Sequence, residues 1–159
     1  MGLSHARRAM SVRFDDPHLV SCAGLVPVMV LAARCGLGGL LADRVQIAAK
    51  GGANAAGKIL ALVTGMVAGA DSISDMGLLR HGGMARLFTE VRAPSTLGTL
   101  LRSFTFGQVR QLDTVAARLL GRLCAATPIL AGAEKVAFVD IDDTVKQTYG
   151  YAKQGSGRG

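Results

Sequence analysis

Asp140, Asp142 and Asp143 close the run Val136-Ala-Phe-Val-Asp140-Ile-Asp142-Asp143-Thr144, and no other residues of the chain are better placed to do chemistry. If the run is a strand, its side chains alternate, so Asp140 and Asp142 share one face and Asp143 points away. Two carboxylates on one face repel each other unless a cation sits between them or one takes up a proton. A divalent ion meets that need. Mg²⁺ binds a few carboxylates together with water and phosphate oxygens, so such a strand can serve phosphoryl transfer. A strand ending in solvated acids, with Asp143-Thr144 as turn residues, would need no metal.

The elements that must position this strand lie ahead of it. A chain of 159 residues, half of them apolar, can bury the core of one domain, or of one small domain and part of another. The net charge of +7 favours anionic partners, nucleic acid or an anionic membrane surface. Thirteen of the eighteen basic residues are arginine, whose planar fork suits phosphate and guanine, although arginine richness also follows from a GC-rich coding sequence. Cys22, Cys35 and Cys124 have neither disulfide-framework nor metal-ligand spacing and read as reduced thiols, which points to a reducing cytoplasm. His5, His18 and His81 have no partners at zinc-like spacing. Arg34, Pro27 and the glycines at 36, 38 and 39 interrupt the apolar stretch from Leu19 to Ala42, leaving no span of the roughly 20 residues a bilayer core requires. No membrane partner is expected. The charged N-terminus also argues against a secretory signal.

Residues 1–17 read as a basic arm, with Met10, Val12 and Phe14 alternating before Asp15-Asp16-Pro17 ends it. Apolar periodicity then predicts helices over about 19–35, with a kink or start near Pro27, and over 37–48. Further helices are predicted over 55–68, capped by Asn54, over 74–79, over a short piece around 84–88, after Ser95 as N-cap, and over 106–126. In the last of these, Val109, Leu112, Ala116, Leu119, Leu120 and Leu123 line one face, with Arg110, Arg118 and Arg122 beside it. The expected fold is therefore mainly α: a helical module over 1–134, followed over 135–159 by the opening strand of a second, α/β domain.

Taken alone, Asp140-x-Asp142-x-Thr144 resembles the first motif of the haloacid-dehalogenase-like phosphatases, where the first Asp is the nucleophile and the second a general acid/base. That family also needs a Lys and an acidic metal motif further along. A longer series of motifs points elsewhere: Phe14-Asp-Asp-Pro17, Gly69-Ala-Asp-Ser-Ile73, Leu79-Arg-His-Gly-Gly83, Ala93-Pro-Ser-Thr-Leu-Gly-Thr99, Leu101-Arg-Ser-Phe104, Val139-Asp-Ile-Asp-Asp-Thr144 and Tyr149-Gly-Tyr-Ala-Lys-Gln-Gly155. In that order they closely resemble bacterial insertion-sequence transposases of the DDE type, particularly an actinobacterial branch. The resemblance implies a helical region that engages transposon-end double-stranded DNA, followed by an RNase H-like catalytic domain. In that domain, Mg²⁺ ions held by Asp, Asp and Glu cut and join DNA in the bacterial cytoplasm, at the nucleoid. The first catalytic and metal-binding Asp maps onto Asp142, with Asp140 second. The other two acids are expected beyond residue 159, so the 159 residues alone are expected to be inactive, a truncated or frameshifted product.

The expected DNA-binding segment runs from Ile73 to Phe104, loosely a helix-turn-helix, with Arg80, Arg86, Arg92 and Arg102 supplying charge. Ser95 and Thr96 at a helix start could hold a phosphate oxygen, although Ser95 could equally do no more than cap its helix. Lys146 and Lys153 would suit a DNA backbone passing the acidic strand. The non-catalytic alternative is a helical interaction module that forms a homodimer.

Overall fold

A computed structural model describes residues 16–48, 50–88 and 91–127, together with 132, 135, 136 and 138. Its architecture is mainly α, with no strand among the described residues. Most of the expected strand lies outside those residues, as do Asp140, Asp142, Asp143, Lys146 and Lys153; Val136 and Phe138 are described and exposed.

Helix α1 spans Leu25–Arg34. Of the two expectations, a kink or a start near Pro27, the start holds, because the preceding residues are occupied in turns: Asp16 accepts from the His18 N–H at 2.8 Å, and the Cys22 carbonyl accepts from Leu25 N at 3.1 Å. Pro27 falls in the first turn, where its missing N–H costs no helical bond. Gly36, at φ +75°, then turns the chain into α2, Leu37–Arg44. That corner is close-packed, since a Cβ on Gly36 would collide with the Arg122 guanidinium. Arg122 Nη1 donates to the Cys35 carbonyl at 3.3 Å, so one arginine read as lying beside the last helix's stripe instead fastens that helix to the α1–α2 corner.

The predicted helix over 37–48 stops at Arg44, because Val45 is extended and the Gln46 backbone is occupied from a distance. Gln46 N donates to Gln111 Oε1 at 3.0 Å, and its carbonyl accepts from Gln108 Nε2 at 3.1 Å. A 3-10 turn, Lys50–Gly52, follows. Helix α3, Ala55–Val67, begins at the expected cap, with Asn54 Oδ1 accepting from Gly57 N at 3.2 Å. Lys58 of α3 is buried, and its Nζ donates to the Gly51 carbonyl at 2.8 Å, tying the 3-10 turn to the helix.

Ser74–Arg80 and Gly82–Arg86 are both 3-10 segments, a correction to the α-helix expected at 74–79. Here Met76 must pass tightly beside α3, where Gly65 leaves the space that a Cβ would take from the methionine sulfur. Helix α4 is Pro94–Arg102 and α5 is Phe106–Ala126, the latter as the periodicity predicts. Thr105 and Gln108 form a capping box at the α5 start, a Thr-x-x-Gln signal that lies outside the apolar periodicity.

Two apolar clusters make the core. One joins Leu37, Leu40, Leu41 and Val45 to Ala55, Ile59, Leu100 and Val115. The other joins Leu25, Ala61, Met76, Leu79, Met84 and Leu97. Among the described residues no single helix is long and apolar enough to cross a membrane; α1 and α2 reach that length only as a pair bent by 57°.

Candidate nucleic-acid interface

The best-defined basic surface is built on α4. Pro94 occupies its first turn with φ preset for a helix, and Ala93 before it is extended, as a residue preceding proline must be. The N-cap is therefore Ala93. Ser95 sits inside the first turn, which corrects its expected role as cap. Leu97 and Leu100 are fully buried, and this aims the opposite side of α4 at solvent.

On that outer side Ser95, Thr99 and Arg102 form a connected row. Thr99 Oγ1 donates to the Ser95 carbonyl at 3.0 Å and accepts from Arg102 Nη2 at 3.3 Å. Gly98 lies within 3.4 Å of Arg102 Nη1 at the position its Cβ would occupy, so the guanidinium lies along the helix rather than extending from it. Arg92 is exposed just ahead of the helix. Thr96 is half-buried and its N–H already bonds to the Ala93 carbonyl at 2.9 Å, so a phosphate at this helix start would meet the Ser95 hydroxyl rather than the Thr96 amide.

Arg80 and Arg86 are exposed at the ends of the two 3-10 segments. Arg86 Nη2 lies 3.3 Å from His18 Nδ1. The same region holds the turn at 16–19, where Gly83 N donates to the Leu19 carbonyl at 2.7 Å and Gly82, at φ +57°, allows that close approach. The expected helix-turn-helix is not formed by these elements. Its first member is 3-10 rather than α, and residues 81–93 separate it from α4, far more than the three or four residues of such a turn.

The site's electrostatics are simple. Among the described residues the one carboxylate–guanidinium pair is Arg110–Asp113, at 3.3 Å. Arg80, Arg86, Arg92 and Arg102 thus have no carboxylate partner within the described structure. On α5, Arg110, Thr114 and Arg118 recur every fourth residue and are all exposed, a second polar row.

No protein-family model, no curated protein and no solved structure matches the chain. Its chemistry must be read from its own side chains. The apolar groove bounded by Leu60, Thr64, Leu87, Phe88 and Val91 offers little for a reaction, since the Thr64 hydroxyl already donates to the Leu60 carbonyl at 2.8 Å. Among the described residues no three His, Cys, Asp or Glu side chains gather as metal ligands.

Proposed function

We propose that this chain is the DNA-engaging helical region of a DDE-type insertion-sequence transposase, leading over 135–159 into the first strand of its RNase H-like domain. The observation that carries the reading is the exposed row Ser95–Thr99–Arg102 with Arg92 ahead of it, on a chain of net charge +7. Arginines with no carboxylate partner among the described residues keep their charge for phosphates, and a hydroxyl beside them adds a directed contact. The series of motifs from Phe14 to Gly155 supports the family.

In this reading Asp142, with Asp140 second, would hold Mg²⁺ together with acids from further elements. The bound ions would activate water and then the freed 3′-hydroxyl. The chain's own part is electrostatic: Arg80, Arg86, Arg92 and Arg102 hold the duplex, and Lys146 and Lys153 line its path past the acidic strand.

The test is binding of the 159-residue chain to duplex DNA over a range of salt. Affinity should fall steeply with salt, and Arg92→Ala with Arg102→Ala should flatten the log–log slope by about 0.9 for each phosphate left without its arginine. Absent or salt-insensitive binding would refute the proposal.

A further inference from the structure

An open apolar groove runs between α1, α3 and the residues that follow the second 3-10 segment. It consists of two hollows, of about 280 and 560 Å³, that share Leu60, Thr64, Leu87 and Phe88 as walls. Met29 and Val30 of α1 line the larger one. Val30 and Leu87 are 52% and 41% exposed, a large apolar surface to leave in water. Since the Thr64 hydroxyl is already bonded to the Leu60 carbonyl, the groove asks for an occupant with one apolar side. Arg86 stands at its edge with no carboxylate partner among the described residues, so an acidic group suits that edge.

The chain joins the described fold at the same edge. A Cβ on Gly82 would lie 2.9 Å from the Asp16 carbonyl oxygen, and His18 Nδ1 is 3.3 Å from Arg86 Nη2, so residues 16–19 are fastened beside Arg86. Immediately ahead, outside the described residues, the sequence reads Met10-Ser-Val12-Arg-Phe14-Asp15. In an extended chain Met10, Val12 and Phe14 share one side, while Ser11 and Arg13 take the other. Met10 to Phe14 then spans about 13 Å, against about 10 Å of α1 from Val26 to Ala33 along the groove. Asp15 falls at the Arg86 edge. The apolar run near the other end of the chain is not the occupant, because Val136 and Phe138 are 65% and 96% exposed. From this junction, spacing and charge we propose that the groove seats the chain's own N-terminal arm, with Met10, Val12 and Phe14 against α1, α3 and Leu87-Phe88, and Asp15 beside Arg86.

The chain contains no tryptophan, so one introduced indole reports the arm without interference. In the full 159-residue chain, Phe14→Trp should emit at shorter wavelength than Arg13→Trp, and acrylamide should quench it several-fold less, because neighbouring positions face opposite ways. Adding Val30→Glu or Leu87→Glu to Phe14→Trp should return its emission and quenching to those of Arg13→Trp. Both sites are exposed and lie on different elements, so if one double variant loses helicity by circular dichroism the other carries the test. The protection should also survive dilution. Equal quenching of Phe14→Trp and Arg13→Trp overturns the proposal, since the arm would then lie in solvent. So does protection indifferent to both glutamates, which would put the arm elsewhere on the fold, or protection lost on dilution, which would put it in the groove of a second copy.

Discussion

Asp75 shows how a single side chain can fix a turn in this molecule. The Ser72 hydroxyl donates to its Oδ2 at 2.7 Å and the Ser72 N–H at 2.9 Å. These bonds, the hydroxyl's first, hold the Asp75 carboxyl below the ordinary carboxylate value. Because the folded-state pKa is the lower one, the stabilisation is fully present above the unfolded pKa of about 3.9 and disappears as pH falls through the folded value. An NMR titration should therefore find Asp75 titrating below the ordinary range, and Ser72→Ala should move it upward. An unchanged Asp75 titration in that variant would show that the hydroxyl is not the cause. Serine and aspartate three apart at the start of a turn could be read locally, because both partners lie within one turn of chain. Lys58 could not: nothing in the sequence around it indicates that its ammonium ends on the Gly51 carbonyl in the interior.

Elements governed by their own residues were legible in the sequence, and those ended by distant partners were not. Asn54 announced α3, and the repeat of apolar positions delimited α5, because caps and periodicity are local signals. The predicted α5 stripe was only partly the buried face: Leu112 and Leu119 point inward with Val115, while Val109 and Leu120 face out. Two apolar faces on one helix merge into a single stripe when periodicity alone is read. The early end of α2 was hidden because it depends on Gln108 and Gln111, more than sixty residues away in sequence. Gln108 does two jobs at once: its Oε1 accepts from Thr105 N at 2.9 Å while its Nε2 holds the Gln46 carbonyl. Gln108→Ala should therefore lower stability by about 1–2 kcal/mol, more than an ordinary exposed substitution, through loss of a cap and of a long-range bond. Denaturant unfolding checks this, and a change within a few tenths of a kcal/mol would mean that α2 ends for another reason. Of the α4 row, Arg92, Arg102 and the Ser95 hydroxyl were legible; Thr99, which braces Arg102 over Gly98, was missed in favour of Thr96, because the choice depends on which side of α4 is buried.

At the scale of the whole molecule, the two apolar clusters share their scaffolding. Helix α3 gives Ile59 to one and Ala61 to the other, and Leu62 borders both. Helix α4 does the same with Leu100 and Leu97, each fully buried. Loosening one cluster must therefore shift a helix that also supports the other, so the two should unfold as one unit rather than as separate subdomains. Leu97→Ala removes a side chain from the cluster around Met76, at a cost of about 2–5 kcal/mol, a large share of the roughly 5–15 kcal/mol that holds a domain together. Hydrogen exchange offers a direct reading. The amides of α2 belong to the opposite cluster, and Leu97→Ala should lower their protection as much as it lowers that of the α3 amides around Ala61. If α2 kept its protection while α3 lost it, the clusters would be independent. Arg102, and Arg92 just ahead of α4, would then ride on a separately opening segment rather than on a platform held from both sides.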